Sequence, residues 1–432
     1  MKKPSYFYTS CVFLFVFLTA CQQETIEEPG INPLEAFAGT WEGEIVIPMQ
    51  PLSIEISVEN ETATLSIPIQ GIFDEPFNVV NADHDTLSLE TTIQDQTILF
   101  SGERDGDNIQ GEFTQLGQNL PFQLRYMEEE QLTEISLEST ELIKAKVDVP
   151  ENDSSDIPVA LILPGSGPTD KHGNSYLMPG RNDNLKRMAE HLNDHGIATI
   201  RYDKRGIGDN LSLAPNSIET RFDDYITDAQ AWLRYAQEQE SFSSVHLIGH
   251  SEGALVGLGA ALQEGVQSYS SVAGAGRTID EILVEQLEND PFITPELLQE
   301  SADIIEQLVQ GDLVQEVSLE LESLFNQNVQ PFLSSWMAVS PVELIEQATF
   351  PTYIIHGNND QQIPVDDAYL LHEANQDSEL YLIDQMGHGL RNVSDDIEEE
   401  SIAAMSHDTP LSEELLTILT TAILDNHTST TK

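Results

Sequence analysis

Two patterns of hydrophobic and polar residues divide the chain. Between residues 41 and about 125, apolar residues alternate with polar ones, as at Ile54, Ile56 and Val58, and turn-forming residues separate the alternating runs. Seven or eight short strands at this spacing predict a small antiparallel all-β barrel or sandwich, which we assign to residues 37–126. This region shows neither a histidine–cysteine cluster nor a basic stripe, so we interpret it as an accessory domain.

From about Leu137 onward, short and continuously apolar runs alternate with amphipathic stretches. The apolar runs cover residues 159–163, 197–202, 245–248, 353–355 and 380–383, and the helix-like stretches cover residues 184–195, 222–237, 252–263, 366–374 and 412–424. Continuously apolar strands are buried on both faces, so this order predicts an α/β domain with a mostly parallel sheet over residues 137–426. A helical, acidic stretch at about 277–348 interrupts the order, and we expect it to form a cap.

The N-terminal segment has the features of an export signal. Lys2 and Lys3 precede a short apolar run, which predicts a signal peptide over residues 1–20. The following residues, Leu18-Thr-Ala-Cys21, resemble a bacterial lipobox, which implies lipid attachment at Cys21 and a tether over residues 21–36. An ordinary signal peptide or an uncleaved anchor is the alternative. We therefore expect an exported protein anchored to a bacterial membrane, with the outer membrane weakly favoured because Gln22 follows Cys21.

The charge of the chain excludes some functions. The 432 residues include 74 acidic and 18 basic side chains, for a formal net charge of −56. A nucleic-acid-binding protein needs a basic face to neutralise phosphates, and electrostatic attraction to anionic lipids needs one as well. We exclude both kinds of partner. A well-solvated surface and adaptation to salty surroundings both remain as explanations of the acidity.

A serine lies where a strand is followed by a helix. The motif Gly249-His250-Ser251-Glu252-Gly253 comes after an apolar run and before a helix-like one. In a tight strand-to-helix turn the central residue is strained and exposed, and the residues two positions away must be small. The start of the helix also directs its positive end at a developing oxyanion. This context predicts a nucleophilic serine, and a helix-capping serine is the structural alternative.

A serine nucleophile needs a base, and the base needs an acid. Asp360 follows one predicted strand and His388 follows the next, which gives the chain order serine, acid, histidine. We predict that Ser251 attacks, that His388 moves the proton and that Asp360 orients the imidazole. Asp366 and Asp384 are rival acids.

The oxyanion hole requires two backbone N–H donors. We predict the N–H of Glu252 and the N–H of Ser166, with Gly167 as the alternative to Ser166, because small residues follow the apolar run that ends near Pro164. Among the other histidines, His250 and His356 are expected to have packing roles. His172 lies in the same loop region, and contact with substrate stays open for it. The spacing of the histidines predicts no metal site.

Four segments together resemble those of bacterial serine carboxylesterases of the α/β-hydrolase superfamily. They span residues 165–170 (GSGPTD), 201–208 (RYDKRGIG), 249–253 (GHSEG) and 356–360 (HGNND). The resemblance implies hydrolysis of short-chain acyl esters, small-molecule substrates and no cofactor. Several such esterases also carry an N-terminal β domain. Within the second segment, Asp203 and Arg205 are interpreted as structural residues that hold the loop after their strand.

Two other functions stay open. One is a serine peptidase of the same fold, in which carboxylates of the cap would hold the amino group of the substrate; Glu281, Glu285 and Glu288 are candidates. The other is a non-catalytic surface lipoprotein whose β domain binds a partner.

Overall fold

The computed structural model describes residues 33–427 apart from 48–50, 129, 138–140, 152–155, 176–177, 179–180, 214–216, 291, 395–402, 404–405 and 407–408. The predicted signal peptide, Cys11 and the proposed lipid-attachment site Cys21 lie outside the described residues. The predicted tether extends too far, because a 3-10 helix at Pro33–Phe37 already belongs to the first domain. Its apolar residues Leu34 and Phe37 are buried, and Phe37 accepts a hydrogen bond of 2.7 Å from the Trp41 indole through its carbonyl oxygen.

The first domain is one antiparallel sheet of nine strands among the described residues. The strands are β1 (Gly39–Ile45), β2 (Leu52–Glu59), β3 (Thr62–Ile67), β4 (Ile72–Pro76), β5 (Val79–Asp83), β6 (Thr86–Ile93), β7 (Gln96–Asp105), β8 (Asn108–Gln115) and β9 (Gln118–Met127). Their order is β4-β3-β2-β1-β9-β8-β7-β6-β5. The sheet curves as a half-barrel around one hydrophobic core, to which Trp41, Leu65 and Phe100 contribute.

The alternating pattern of the sequence is the cause of this curved sheet. Every second residue along a strand points to the same face, so Ile54, Ile56 and Val58 of β2 are all buried on the concave side. The strand count exceeds the predicted seven or eight because β4 and β5 are short edge strands. Charged residues such as Asp74 and Glu75 of β4 break the alternation of apolar and polar positions. Charged residues are common on edge strands because they prevent pairing with a further strand.

The second domain contains a sheet of eight described strands. They are β10 (Leu132–Ser136), β11 (Leu142–Asp148), β12 (Ile157–Leu163), β13 (Ala198–Arg201), β14 (Phe242–His250), β15 (Ser268–Val272), β16 (Thr352–Gly357) and β17 (Glu379–Ile383). The order is β10-β11-β13-β12-β14-β15-β16-β17. The first two strands run antiparallel to their neighbours, and all pairings from β13 to β17 are parallel.

Helices cover both faces of this sheet. They are α1 (Asn184–Asp194), α2 (Phe222–Glu238), α3 (Glu252–Glu264), α4 (Ile279–Asn289), α5 (Pro295–Val309), α6 (Glu322–Phe325), α7 (Gln330–Met337), α8 (Pro341–Ile345), α9 (Val365–Ala374) and α10 (Glu413–Asp425). Helices α2, α3 and α9 contribute to the core on one face, and α1 and α10 contribute to the core on the other. Burial on both faces explains why all seven residues of β12 are inaccessible to solvent.

The predicted cap corresponds to helices α4 to α8. Most of it has a separate hydrophobic core, which includes Leu287, Ile304, Leu308 and Phe325. Helix α7 also packs on the main body through Trp336, whose ring stacks on Phe222 with the ring centroids 5.5 Å apart. The cap is therefore a folded layer that rests on α2.

Three strands of this sheet, β10, β11 and β15, were missed by the sequence patterns. Strand β10 lies in a segment that precedes the predicted start of the second domain at residue 137, so this domain begins by Leu132. Strand β15 contains three serines among its five residues and lacks an apolar run, yet it is fully buried. Within the described residues, the helices are too short or too polar to cross a membrane.

Candidate active site

Ser251 lies in the turn between β14 and α3 with an unusual backbone conformation. Its φ is 54° and its ψ is −121°, a region that residues other than glycine seldom occupy. Its N–H donates to the carbonyl oxygen of Val272 at 2.9 Å, and its own carbonyl accepts from the N–H of Ala254. These bonds fix the turn, so the serine side chain projects away from the sheet at the carboxyl end of β14.

The two glycines of the motif are required by contacts across this turn. A Cβ atom on Gly249 would lie 2.2 Å from the carbonyl oxygen of Gly253. A Cβ atom on Gly253 would lie 2.6 Å from the carbonyl oxygen of Leu163 in β12. The expected need for small residues two positions from the serine is therefore confirmed, and its physical cause is main-chain crowding.

The structure brings Ser251, His388 and Asp360 together in one hydrogen-bonded chain. His388 Nε2 lies 3.1 Å from Ser251 Oγ, and His388 Nδ1 lies 2.8 Å from Asp360 Oδ2. An ionised carboxylate only accepts hydrogen bonds, so Nδ1 carries the imidazole proton and Nε2 is the acceptor for the serine hydroxyl. This is the arrangement in which the imidazole acts as a base toward the serine.

Asp360 is held in its charged form although it is buried. Burial by itself raises the pKa of this carboxyl group, but the electrostatic interaction and the hydrogen bond with His388 lower the pKa below its ordinary value. The other carboxylate oxygen accepts from the N–H groups of Gln362 and Ile363 at 2.9 and 2.8 Å. His356, expected to be a packing residue, is buried and donates through Nε2 to the carbonyl of Ile363 at 2.9 Å.

Side chains also hold the backbone around His388. His250 Nε2 lies 3.0 Å from the carbonyl oxygen of His388, and Arg391 Nη1 donates to the carbonyl oxygen of Gly389 at 2.7 Å. Arg391 donates further to the carbonyls of Asn182 and Thr409, so it joins three segments of the chain. Burial lowers the pKa of His250 to about 3, so its ring is neutral at ordinary pH and donates to the carbonyl through Nε2.

The loop after β12 faces the serine. Ser166 and Gly167 are exposed to the cavity that also contains Ser251 and Glu252, so the residues predicted for the oxyanion hole meet at one place. Gly165 makes the close approach possible, since a Cβ atom there would lie 3.2 Å from Ser251 Cβ. Donation of their N–H groups to an oxyanion stays a prediction.

Asp203 and Arg205 brace this part of the domain, in agreement with their predicted structural roles. Asp203 accepts from the N–H of Lys171 at 2.7 Å, which ties the loop after β12 to the loop after β13. Arg205 makes two hydrogen bonds to Asp228 of α2, at 2.6 and 2.7 Å.

A buried ion pair, which no local sequence pattern predicted, lies directly beside Ser251. Lys204 Nζ lies 2.6 Å from Glu252 Oε1, and both side chains are almost inaccessible to solvent. Lys204 also lies over the ring of Tyr225 at 5.0 Å from its centroid. Burial raises the pKa of Glu252, while the ammonium group of Lys204 opposes that shift. Both residues stand within segments quoted above, but they are 48 positions apart, so no local pattern pairs them.

A cavity of about 630 Å³ opens above Ser251. The α/β domain outside the cap, called the body below, contributes Ser166, Tyr225 and Leu255 to the walls of this cavity. The cap contributes α4, α7 and the segment before α7. A volume of this size is typical of sites for small organic ligands.

Other candidates from the sequence lie away from Ser251. Asp366 is exposed on α9, and Asp384 accepts from the side-chain amide of Asn358, so neither rival acid contacts His388. His172 is buried, with Nδ1 3.3 Å from Arg201 Nη1, and it does not line the cavity. In the described part of the chain, histidine, cysteine and acidic side chains form no group of three or more suited to a metal ion.

The comparisons with known proteins concern the domain that contains this site. The family model described as "Serine aminopeptidase, S33" matches residues 172–275, which include the nucleophile turn. Ser251 follows strand β14 within the matched region, whereas Asp360 and His388 follow β16 and β17 beyond it. The second domain has the α/β-hydrolase fold.

The relatives of this α/β-hydrolase domain include named esterases. Esterase EstD of Thermotoga maritima is 23% identical over 222 residues, which are 51% of this chain and 50% of that protein. The chain thus matches about half the length of this curated relative. Among solved structures, Est1E from Butyrivibrio proteoclasticus has a TM-score of 0.42 at 17% identity, covering 68% of this chain and 98% of that one. An esterase from Pyrococcus furiosus has a TM-score of 0.45 at 16% identity, covering 69% and 92%.

Proposed function

We propose that this protein is a serine hydrolase that cleaves carboxylic esters of small molecules through an acyl-enzyme intermediate on Ser251. The observation that carries the proposal is the hydrogen-bonded chain Ser251–His388–Asp360 at the base of a cavity. The similarity to esterase EstD supports the ester as the substrate class.

The first half of the reaction forms the acyl-enzyme. The Ser251 oxygen bonds to the ester carbonyl carbon while His388 Nε2 takes the hydroxyl proton. The charge that develops on the carbonyl oxygen is stabilised by the N–H groups of Glu252 and of Ser166 or Gly167. When the tetrahedral intermediate collapses, the bond to the alcohol breaks and His388 gives the proton to the leaving oxygen.

The second half releases the acid. His388 takes a proton from water, whose oxygen attacks the acyl carbon, and the bond to Ser251 breaks as the serine oxygen regains the proton. Asp360 keeps its negative charge throughout and stabilises the imidazolium form of His388. These steps consume one ester and one water and yield one acid and one alcohol.

An aminopeptidase of the same fold is the second candidate, favoured by the description of the matching family model. Such an enzyme needs a carboxylate to bind the substrate ammonium group. Among the described residues that line the cavity, Glu252 is the only acid, and it is paired with Lys204. The cap acids Glu281 and Glu288 are exposed outside the cavity, and Glu285 binds Arg277. These contacts favour the ester.

A fluorophosphonate probe and a pair of substrates test the proposal. We expect the wild type to be labelled, Ser251→Ala to resist labelling, and p-nitrophenyl acetate to be cleaved far faster than aminoacyl p-nitroanilides. Equal labelling of Ser251→Ala, or no labelling of the wild type, would contradict the catalytic assignment. Faster cleavage of the anilides would favour the peptidase, and inertness with both substrates would favour a non-catalytic lipoprotein.

We further propose that the protein is exported and lipid-anchored through Cys21 to a bacterial membrane. The lipobox-like segment and the preceding apolar run support this. A Cys21→Ser variant is expected to leave the membrane fraction, whereas continued membrane partitioning of that variant would refute the anchor.

A further inference from the structure

The walls of the cavity above Ser251 are mostly apolar where the cap supplies them. The main apolar side chains from the cap are Ile279, Ile282, Leu283, Val329, Phe332 and Trp336. The body adds Leu255 of α3 and Tyr225 of α2. Phe332 lies against Tyr225 with the ring centroids 5.1 Å apart, so the cap and the body form one continuous apolar surface.

The charges at the cavity are neutralised by partners. Among the described lining residues, the charged side chains are Arg205, Glu252 and Arg277. Arg205 is bound to Asp228, and Glu252 is bound to Lys204. Arg277 is bound to the fully buried Asp367 and to Glu285, at 2.7 and 2.6 Å. A charged substrate group would therefore lose its hydration without gaining an uncommitted counterion.

We propose that this cavity binds a medium-length or aryl apolar group of an uncharged ester, with Val329 and Leu324 of the cap among its apolar walls. The proposal rests on the function proposed above and names its substrate class. It departs from the short-chain preference that the sequence resemblance implies. An acetyl group would occupy only a small part of a cavity of about 630 Å³ and would leave the apolar cap surface in contact with water.

The expected effect of chain length follows from apolar burial. Each methylene that moves from water into an apolar site favours binding about fourfold. If the chain is bound in the transition state as well, kcat/KM rises with each added carbon until the cavity is full. Allowing for incomplete burial, we expect an increase on the order of 100-fold between acetyl and octanoyl esters.

Two ester series measure this effect. One varies the acyl chain of p-nitrophenyl esters from acetyl to decanoyl, and the other varies the alcohol chain of simple acetates. A rise in the first series places the acyl group in the cavity, and a rise in the second places the alcohol there. A maximum at the shortest chain in both series would overturn the proposal, while fluorophosphonate labelling of Ser251 and cleavage of acetyl esters would still support the proposed function.

A second set of esters tests whether the cavity prefers an uncharged acyl group. The mono-p-nitrophenyl esters of hexanoic, 6-aminohexanoic and adipic acids all have six-carbon acyl chains, which end in a neutral, a cationic and an anionic group. We expect the hexanoyl ester to have a kcat/KM at least about tenfold higher than either charged ester. A charged ester that reacts as fast as the hexanoyl ester would contradict an uncharged substrate class.

A matched pair of variants tests the role of the cap. Val329→Trp fills the cavity, whereas Val309→Trp places the same side chain at the exposed end of α5, outside the cavity. We expect Val329→Trp to lower kcat/KM for octanoyl esters about tenfold and to change acetyl esters less than threefold, with Val309→Trp like the wild type. Leu324→Trp is expected to give the same split, which keeps the test in place if one variant misfolds. Equal losses for both esters, or no loss, would refute the assignment.

Discussion

The chain has two groups of serine, histidine and aspartate, one at each end of β14. At the carboxyl end, Ser251 forms a hydrogen-bonded chain with His388 and Asp360. At the amino end, Ser244 Oγ lies 2.9 Å from His427 Nδ1, and His427 Nε2 lies 3.9 Å from Asp156. The two serines are seven positions apart in the sequence, Ser244 within β14 and Ser251 directly after its end.

The two groups differ in backbone, access and orientation. Ser251 stands in a strained turn that opens into a cavity, but Ser244 lies within the strand and is 2% exposed. The Ser244 hydroxyl is also shared with His246 Nε2 at 2.9 Å, and the distance from His427 to Asp156 exceeds that of a hydrogen bond. Residue types alone therefore do not make a nucleophile; a turn, a cavity and an oriented base are needed as well.

The largest predicted difference is in turnover. Ser251→Ala and His388→Ala are each expected to lower kcat for p-nitrophenyl esters by on the order of 10³-fold or more, because each removes a reacting group. Ser244→Ala is expected to stay within about threefold of the wild type. Steady-state kinetics on the three folded variants measures kcat. A comparable loss of kcat in Ser244→Ala would contradict the distinction between the two ends of β14.

The acid gives the next largest effect. Asp360→Asn removes the charge that stabilises the imidazolium form of His388, and kcat is expected to fall by about 10²-fold or more. Asp384→Asn is the matched control, since Asp384 is exposed and contacts Asn358 rather than His388. If both variants keep wild-type kcat, Asp360 does not act as the acid.

The sequence predicted the parts of the fold and site that local patterns encode. Strand β12 and helix α3 were predictable because a continuous apolar run and a short glycine-containing motif can each be recognised from a few neighbouring residues. Strand β15 was not, because its serines are buried by neighbouring strands and helices rather than by any property of its own sequence. Burial of polar residues depends on tertiary hydrogen bonds, such as the one from Tyr269 to the carbonyl of Ala254.

The supporting residues of the site were hidden for a related reason. Ser251, Asp360 and His388 follow predicted strands in a fixed order, so their meeting could be expected. Arg391 instead holds the carbonyl of Asn182, 209 positions earlier in the chain. Contacts of this kind depend on how segments pack, and one sequence carries no periodic signal for them.

A smaller effect is expected from the histidine that precedes the nucleophile. His250 donates to the carbonyl of His388, so His250→Asn is expected to let the histidine loop move and to lower kcat about tenfold with little change in KM. The matched variant is His246→Asn, on the same strand but directed at Ser244 and Ser268. Unchanged kcat in His250→Asn, or an equal loss in both variants, would show that His250 only fills space.

The last prediction concerns stability, rather than turnover, at the amino end of β14. Burial, and then the charge of neighbouring His427, lowers the pKa of His246 to about 3 in the folded protein, against about 6.5 in an unfolded chain. Below pH 6.5 the unfolded state therefore binds a proton that the folded state does not, and the stability contributed by neutral His246 is lost as the pH falls. At pH 5 this loss amounts to about 2 kcal/mol.

Because asparagine does not titrate, His246→Asn lacks this loss. Urea unfolding of the wild type and His246→Asn at pH 8 and pH 5 is expected to show a stability gap that narrows by about 2 kcal/mol at the lower pH. The repulsion among the many acidic groups changes with pH in both proteins, so it cancels in the gap. His84→Asn is the control, since the His84 side chain is 95% exposed and its replacement should leave the gap constant. A difference in unfolding free energy between wild type and His246→Asn that does not depend on pH would mean that His246 is protonated at pH 5 in the folded protein. The amino end of β14 would then be an ionised site.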